Sequence, residues 1–130
     1  MKITSVNNDL IKETAKLLKS KYREESGLFL IEGEKGVEEA IKAGLDIKYI
    51  FTLNNSQSYP KDKIIETTEA VMAKISDTKS APKVIAVAEQ AKYDIERFKN
   101  CYKIVLLEDI KDAGNLGTIL RTACAFGIDG

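Results

Sequence analysis

Apolar and polar positions recur along this chain in two periods, and the switches between them mark its elements. Leu10, Ile11, Thr14, Leu17 and Leu18 fall at the spacing of one helix face, behind the capping side chains of Asn7, Asn8 and Asp9. This spacing predicts one amphipathic helix over 9–21. The apolar run 28–31, closed by Glu32-Gly33, predicts a buried strand and its turn. Val37, Ala40 and Ile41 predict a helix over 34–43, with Gly44 placed to end it. Ile47, Tyr49, Phe51 and Leu53 alternate as on a second strand, and 54–60 carries turn residues. Ile64-Ile65 predicts a third strand, and Thr68 caps a helix reaching Ile75, with Val71, Met72 and Ile75 turned inward. A polar loop over 76–82 then leads to a fourth strand over 84–88. Strands alternating with helices predict an α/β domain of two or three layers over 1–90.

The pattern weakens over 91–103, which reads as a linker with room for a helical turn. A second unit begins at 104. Ile104-Val105-Leu106-Leu107 predicts a strand, 108–114 an acidic loop, and 116–126 a helix with Leu116, Ile119, Leu120, Ala123 and Cys124 as its apolar stripe. The 104–130 segment is too short to be a domain of its own.

Charge changes the picture locally rather than globally. Twenty Lys/Arg balance twenty Asp/Glu in 130 residues, so no overall field draws the chain to nucleic acid or a membrane. Lys12, Lys16, Lys19, Lys21 and Arg23 nevertheless stand against a single acid, Glu13, between positions 12 and 23. That cluster predicts a basic stripe on the first helix, with Lys79 and Lys83 as further cations on the polar loop. The absence of histidine excludes serine–histidine and cysteine–histidine pairs and imidazole metal ligands from these residues. Cys101 and Cys124, not in a C-x-x-C, are expected as small buried thiols in a reducing compartment. No leader-like apolar region follows Met1 and no apolar run approaches a membrane span, so a cytoplasmic location is expected.

The most informative stretch is 107–123. It predicts a strand, a tight loop and a helix capped by Asn115, with Gly114 and Gly117 flanking the cap. Arg121 falls with Thr118, Thr122 and Ala125, away from the apolar stripe, where its fork of donors could hold a phosphate. The same residues also fit a plain cap, two turns and a solvated arginine. A lone G-x-x-G opens neither a P-loop nor a dinucleotide fingerprint.

Asp112-Ala113-Gly114-Asn115-Leu116-Gly117-Thr118-Ile119-Leu120-Arg121-Thr122-Ala123 closely resembles the first motif of the SpoU/TrmH-type RNA ribose 2′-O-methyltransferases of the SPOUT class, through Asn115, Gly117 and Arg121. Ala113 stands where that family commonly has proline. Asn8 with Ile11-Lys12, Lys21-Tyr22-Arg23, Leu28-Phe29-Leu30-Ile31-Glu32-Gly33 with Glu39-Ala40, and Ile75-Ser76-Asp77-Thr78 with Val84-Ile85-Ala86-Val87 look like the family's substrate-binding domain in order and spacing.

The resemblance implies a ribosomal-protein-like RNA-binding α/β domain over 1–90, a linker over 91–103, and over 104–130 the first strand and helix of a trefoil-knot methyltransferase domain. It also implies transfer of a methyl group from S-adenosylmethionine to a ribose 2′-hydroxyl of rRNA or tRNA, without a metal. The cofactor-binding loops would lie beyond Gly130, leaving this chain inactive alone. Asn115 and Arg121 are the implied catalytic pair. In that family the matched arginine activates the 2′-hydroxyl. Because a guanidinium stays protonated above pH 12, Arg121 is expected first to position the phosphate and 2′-oxygen, with general-base action as the alternative. Asn115 is expected to hold loop and arginine in place. Lys12, Lys16, Lys19, Lys21, Arg23, Lys79 and Lys83 are the expected RNA contacts. Tyr22 and Tyr49 could stack on bases, whereas Phe29 and Phe51 are expected in the core. The family's members are homodimers with shared active sites. The alternative is a stand-alone RNA-binding or adaptor module that keeps the motif without catalysis.

Overall fold

The computed structural model describes residues 1–53, 59–78 and 80–130, and the chain divides into two compact units, Met1–Ala91 and Lys92–Gly130. The first unit runs α1 (Asp9–Lys16), α2 (Ser20–Ser26), β1 (Leu28–Glu32), α3 (Glu34–Lys42), β2 (Ile47–Thr52), β3 (Ile64–Glu66), α4 (Glu69–Lys74) and β4 (Val84–Glu89). Its four-stranded sheet has the order β1-β4-β2-β3. β4 lies antiparallel to both neighbours, whereas β2 and β3 are parallel. Beyond β3 the N-terminal residues add to the edge, through Ile3 N–H to Glu66 O and Glu66 N–H to Met1 O.

Helices cover both faces of the sheet, giving three layers. On one face Ile11 and Leu17 pack with Val71, Met72 and Ile75 over Phe51, Ile65, Ile85 and Val87. On the other, Val37 and Ala40 of α3 cover Ile47, Ile50, Ile64, Val84, Ala86 and Ala88. β4 is central and buried on both sides, which is why its sequence is a continuous apolar run rather than an alternating one.

The expected caps form at three ends. The Asn8 side chain accepts from Leu10 N–H, and the Thr68 side chain accepts from Val71 N–H. Gly44, at φ 73°, closes α3, with Gly44 N–H bonded to Ile41 O and Leu45 N–H to Ala40 O.

Several expectations give way to the structure. The helix expected over 9–21 is two helices. Leu17, Leu18 and Lys19 each donate to the carbonyl three residues back, and this tightened turn ends α1 and redirects the chain into α2. Second, β2 carries a bulge between Ile47 and Tyr49, so Ile47 and Phe51 pack on opposite faces instead of sharing one. Third, residues 104–107 form no strand: a ladder needs a partner, and Leu106 is 92% exposed. The expected 54–60 turn lies mostly outside the described residues.

In the second unit a 3₁₀ helix (Ile95–Asn100) precedes α5 (Ala113–Ala125). Val105 N–H bonds Gly130 O and Asp129 N–H bonds Lys103 O, returning the chain end beside the extended 103–105 segment. The cysteines are the fourth departure. Cys124 is exposed, because the apolar side of α5 has too little of this unit to bury against, and Cys101, at the end of the 3₁₀ helix, is half-buried.

Candidate functional site

Arg23, on α2, sits within reach of the end of α1. Its Nη1 donates to Leu17 O at 2.9 Å and to Leu18 O at 3.0 Å, supplying two carbonyls that the end of a helix leaves without partners. The arginine expected at the end of a basic stripe is therefore first a brace for the α1–α2 turn.

Across β1 a second set of contacts forms around Glu32. Its Oε2 accepts from the Ser76 hydroxyl at 2.7 Å and from the Thr78 hydroxyl at 3.3 Å, while Oε1 accepts from Asp77 N–H at 3.1 Å. Gly33 then turns the chain at φ 90°, a region that L side chains rarely adopt, and its N–H bonds Val84 O. Two segments far apart in sequence are thus tied at one end of the sheet. Leu17, Leu18, Arg23, Phe29, Leu30, Glu32 and Asp77 line an open hollow of about 240 Å³ beside them.

The lysines of the expected stripe do not share one helix face, because α1 ends before Lys19. Lys12 pairs with Asp9 at 3.3 Å, Lys16 with Glu13 at 2.6 Å and Lys21 with Glu25 at 3.8 Å, all exposed. Glu13's hydrogen bond holds the Lys16 ammonium above its ordinary pKa. That ammonium also lies 5.8 Å from the centre of the Tyr22 ring, which carries it across the α1–α2 turn. Lys19 is exposed at the start of α2, with no ion pair among the described residues. Lys83 is exposed and borders another hollow with Leu53, Thr67, Thr68 and Glu69. Lys79 lies outside the described residues. Of the four aromatics, Phe51 is fully buried and Phe29 partly so, Tyr22 is half-exposed, and Tyr49 is 38% exposed.

In the second unit the cap of α5 is Asp112, not Asn115. Asp112 has extended backbone, and its Oδ1 accepts from Asn115 N–H at 2.6 Å. Asn115 instead occupies the first turn with its amide exposed. Arg121, exposed as well, donates through Nη2 to Thr118 Oγ1 at 3.5 Å. Six residues of α-helix separate Asn115 from Arg121 by about 120° around the axis and about 9 Å along it. The structure does not bring the two side chains together, so Asn115 has no contact by which to hold Arg121. Thr118 and Thr122 hydroxyls are spent on Gly114 O and Thr118 O. They border an apolar hollow of about 340 Å³ with Val105, Ile119, Ala123, Phe126 and Ile128. Among the described residues no cluster of His, Cys, Asp or Glu suits a metal ion, and no helix is long and apolar enough to cross a membrane.

Sequence reasoning assigned Glu32 only to a strand end and turn. Its role as the acceptor for three donors depends on a loop more than forty positions away. The nearest signal was its place in the same matched set as Ser76-Asp77-Thr78.

Residues 8–86 match the model of the MRM3-like substrate-binding domain. The chain is 33% identical to the Bacillus subtilis 23S rRNA (guanosine(2553)-2′-O)-methyltransferase RlmP, over 98% of this chain and 52% of that protein. It is 29% identical to the human mitochondrial rRNA methyltransferase 3, over 82% of this chain and 28% of that protein. The S-adenosylmethionine-bound rRNA methyltransferase of Sinorhizobium meliloti superposes with a TM-score of 0.82 at 30% identity, covering all of this chain and 52% of that one. The chain thus spans about half the length of the bacterial relatives it matches.

Proposed function

The chain belongs to the family of MRM3-like substrate-binding domains, the substrate-binding part of SpoU/TrmH-type methyltransferases, and on that premise we propose that it captures RNA for ribose 2′-O-methylation. The family match over residues 8–86 carries this reading. In it, 1–90 holds rRNA or tRNA, 91–103 connects, and 104–130 contributes the first motif of a methyltransferase domain. Lys12, Lys16, Lys19, Lys21, Lys79 and Lys83 meet the phosphate backbone. Arg23 adds its charge from a fixed position, since its side chain is already anchored on Leu17 O and Leu18 O. The complete enzyme works in the cytoplasm as a homodimer.

Arg121 acts in this scheme by orienting the phosphate next to the reacting 2′-hydroxyl, which its exposure on α5 and guanidinium fork allow. Asn115, equally exposed in the first turn of α5, is the other catalytic residue of this reading. S-adenosylmethionine supplies the methyl group. The residues described in 104–130 do not fit that cofactor: the hollow beside α5 is apolar, and its two hydroxyls already donate to backbone carbonyls. No step through the cofactor is therefore assigned to them.

The test is transfer of labelled methyl from S-adenosylmethionine to rRNA by the protein that carries this chain. Label is expected in ribose 2′-O-methyl nucleotides, with a loss of about 100-fold or more for Arg121→Ala and RNA binding retained. RNA binding without any transfer would favour the adaptor reading instead.

A further inference from the structure

We propose that the hollow beside β1 is a pocket for a single unpaired RNA base. This rests on the reading of the first unit as an RNA-binding domain, and adds to it where and how that domain distinguishes a single-stranded segment from a duplex.

The lining divides by chemistry. Leu17 and Leu18 at the α1–α2 turn and Phe29 and Leu30 on β1 provide apolar surface, and Arg23, Glu32 and Asp77 provide polar groups. A base removed from its stack needs this combination: an apolar or aromatic surface for its face and hydrogen-bonding groups for its edge. At about 240 Å³ the hollow is smaller than the ~300–1,000 Å³ typical of clefts for larger ligands. A single ring system suits that size better than a dinucleotide. β1 is the edge strand of the sheet, and Phe29 and Leu30 point to its opposite faces, so the hollow wraps an edge that a strand of RNA can reach.

The polar groups are both fixed and free. Arg23 is anchored through Nη1 alone, which leaves Nη2 and Nε as donors. Glu32 is occupied by Ser76, Asp77 N–H and Thr78, and so holds the 76–78 loop in place. The Asp77 carboxylate, exposed on that loop, has no hydrogen bond or ion pair among the described residues. Arg23 and Asp77 border the same hollow without pairing with one another. A donor and an acceptor left open on one hollow complement the edge of a base, which presents acceptors and donors in turn.

Phosphate attraction alone would treat paired and unpaired RNA alike. The pocket predicts a preference. The experiment compares binding of a hairpin with an open loop and of a fully paired duplex to the 130-residue chain. It also titrates the ¹⁵N-labelled chain with the four uncharged ribonucleosides. Expected are amide shifts confined to the neighbourhood of Leu18, Arg23, Phe29 and Asp77 with at least one nucleoside. Phe29→Leu and Asp77→Asn should each weaken hairpin binding by about five-fold or more while leaving duplex binding unchanged. Circular dichroism melting checks that both variants fold. Should Phe29→Leu unfold, the exposed Asp77→Asn carries the test. The pocket is overturned if no nucleoside shifts these amides, or if the variants leave hairpin binding unchanged or weaken hairpin and duplex equally. A chain that binds neither RNA at low salt would overturn the RNA-binding reading itself, whereas nucleoside shifts at the pocket would still stand.

Discussion

Glu32 and Ser76, 44 positions apart, are joined by a 2.7 Å hydrogen bond from the Ser76 hydroxyl to Glu32 Oε2. With Asp77 N–H on Oε1, this contact fixes the loop after α4 to the end of β1. One rim of the proposed base pocket is made by that loop, so the position of Asp77 depends on a carboxylate that never needs to touch RNA.

Glu32→Ala should therefore act at a distance. Three donors lose their acceptor, and one of them is a backbone N–H. The chain is expected to lose about 1–3 kcal/mol of stability in urea unfolding. Hairpin RNA binding should fall with it, whereas Glu32→Gln should retain part of both. An unchanged unfolding midpoint for Glu32→Ala would show that the loop is held by something else.

Arg23→Lys keeps the charge and removes the fork. A lysine ammonium cannot serve Leu17 O and Leu18 O from the same anchored geometry. The expected result is a loss of about 1 kcal/mol in stability, with faster amide exchange at Leu17–Lys19 than elsewhere in α1. Exchange that stays uniform along α1 and α2 would mean that the turn does not need the guanidinium.

The stripe lysines are expected to act through salt. Each of Lys12, Lys16, Lys19 and Lys21 that meets a phosphate should add about 0.7 to the slope of log affinity against log salt on single-stranded RNA. Replacing one by Gln should lower the slope by that amount and weaken all sequences alike. Three of the four already pair with a nearby acid, so Lys19→Gln should cost most.

Lys48 ties the β2 bulge to β4 by pairing with Asp46 and Glu89, each at 2.7 Å. Its hydrogen bond holds the Asp46 carboxyl below the ordinary 3.8, while Asp46 first and then Glu89 hold the ammonium well above its usual range. The Asp46 contribution is thus present above pH 3.8 and lost as pH falls through the lowered folded value. The Lys48 contribution is present below 10.5 and lost as pH rises through the raised one. Lys48→Met should lower the melting temperature slightly at neutral pH, and the difference should shrink at acid pH. A difference that grows on acidification would contradict this sign. Asp46 and Glu89 are exposed and Lys48 is half-buried at the surface, so the effect is small and weakens with salt.

Much of the first unit was legible because local chemistry decided it. Asn8, Thr68 and Gly44 mark helix ends through their own side chains or lack of one, and the apolar runs place all four strands. What escaped is set by partners distant in sequence or missing from the unit. No glycine or proline interrupts 9–21, yet the helix breaks where Arg23 accommodates the free carbonyls. The 104–107 run has strand composition but no neighbouring strand. Asp112 and Asn115 are both good caps three residues apart, and the choice between them was not written in their types. For the site, the basic residues were visible as a cluster. Their division between two helices, and the role of Glu32 as a tie, became apparent only in three dimensions.

The most direct test of RNA capture by the first unit is the affinity of the folded 130-residue chain for an rRNA hairpin across a salt series. We predict binding at low salt that weakens linearly in log affinity against log salt, with a smaller slope when Lys12, Lys16, Lys19 and Lys21 are all changed to Gln. No binding at low salt, or binding whose slope is the same with and without these lysines, would contradict it.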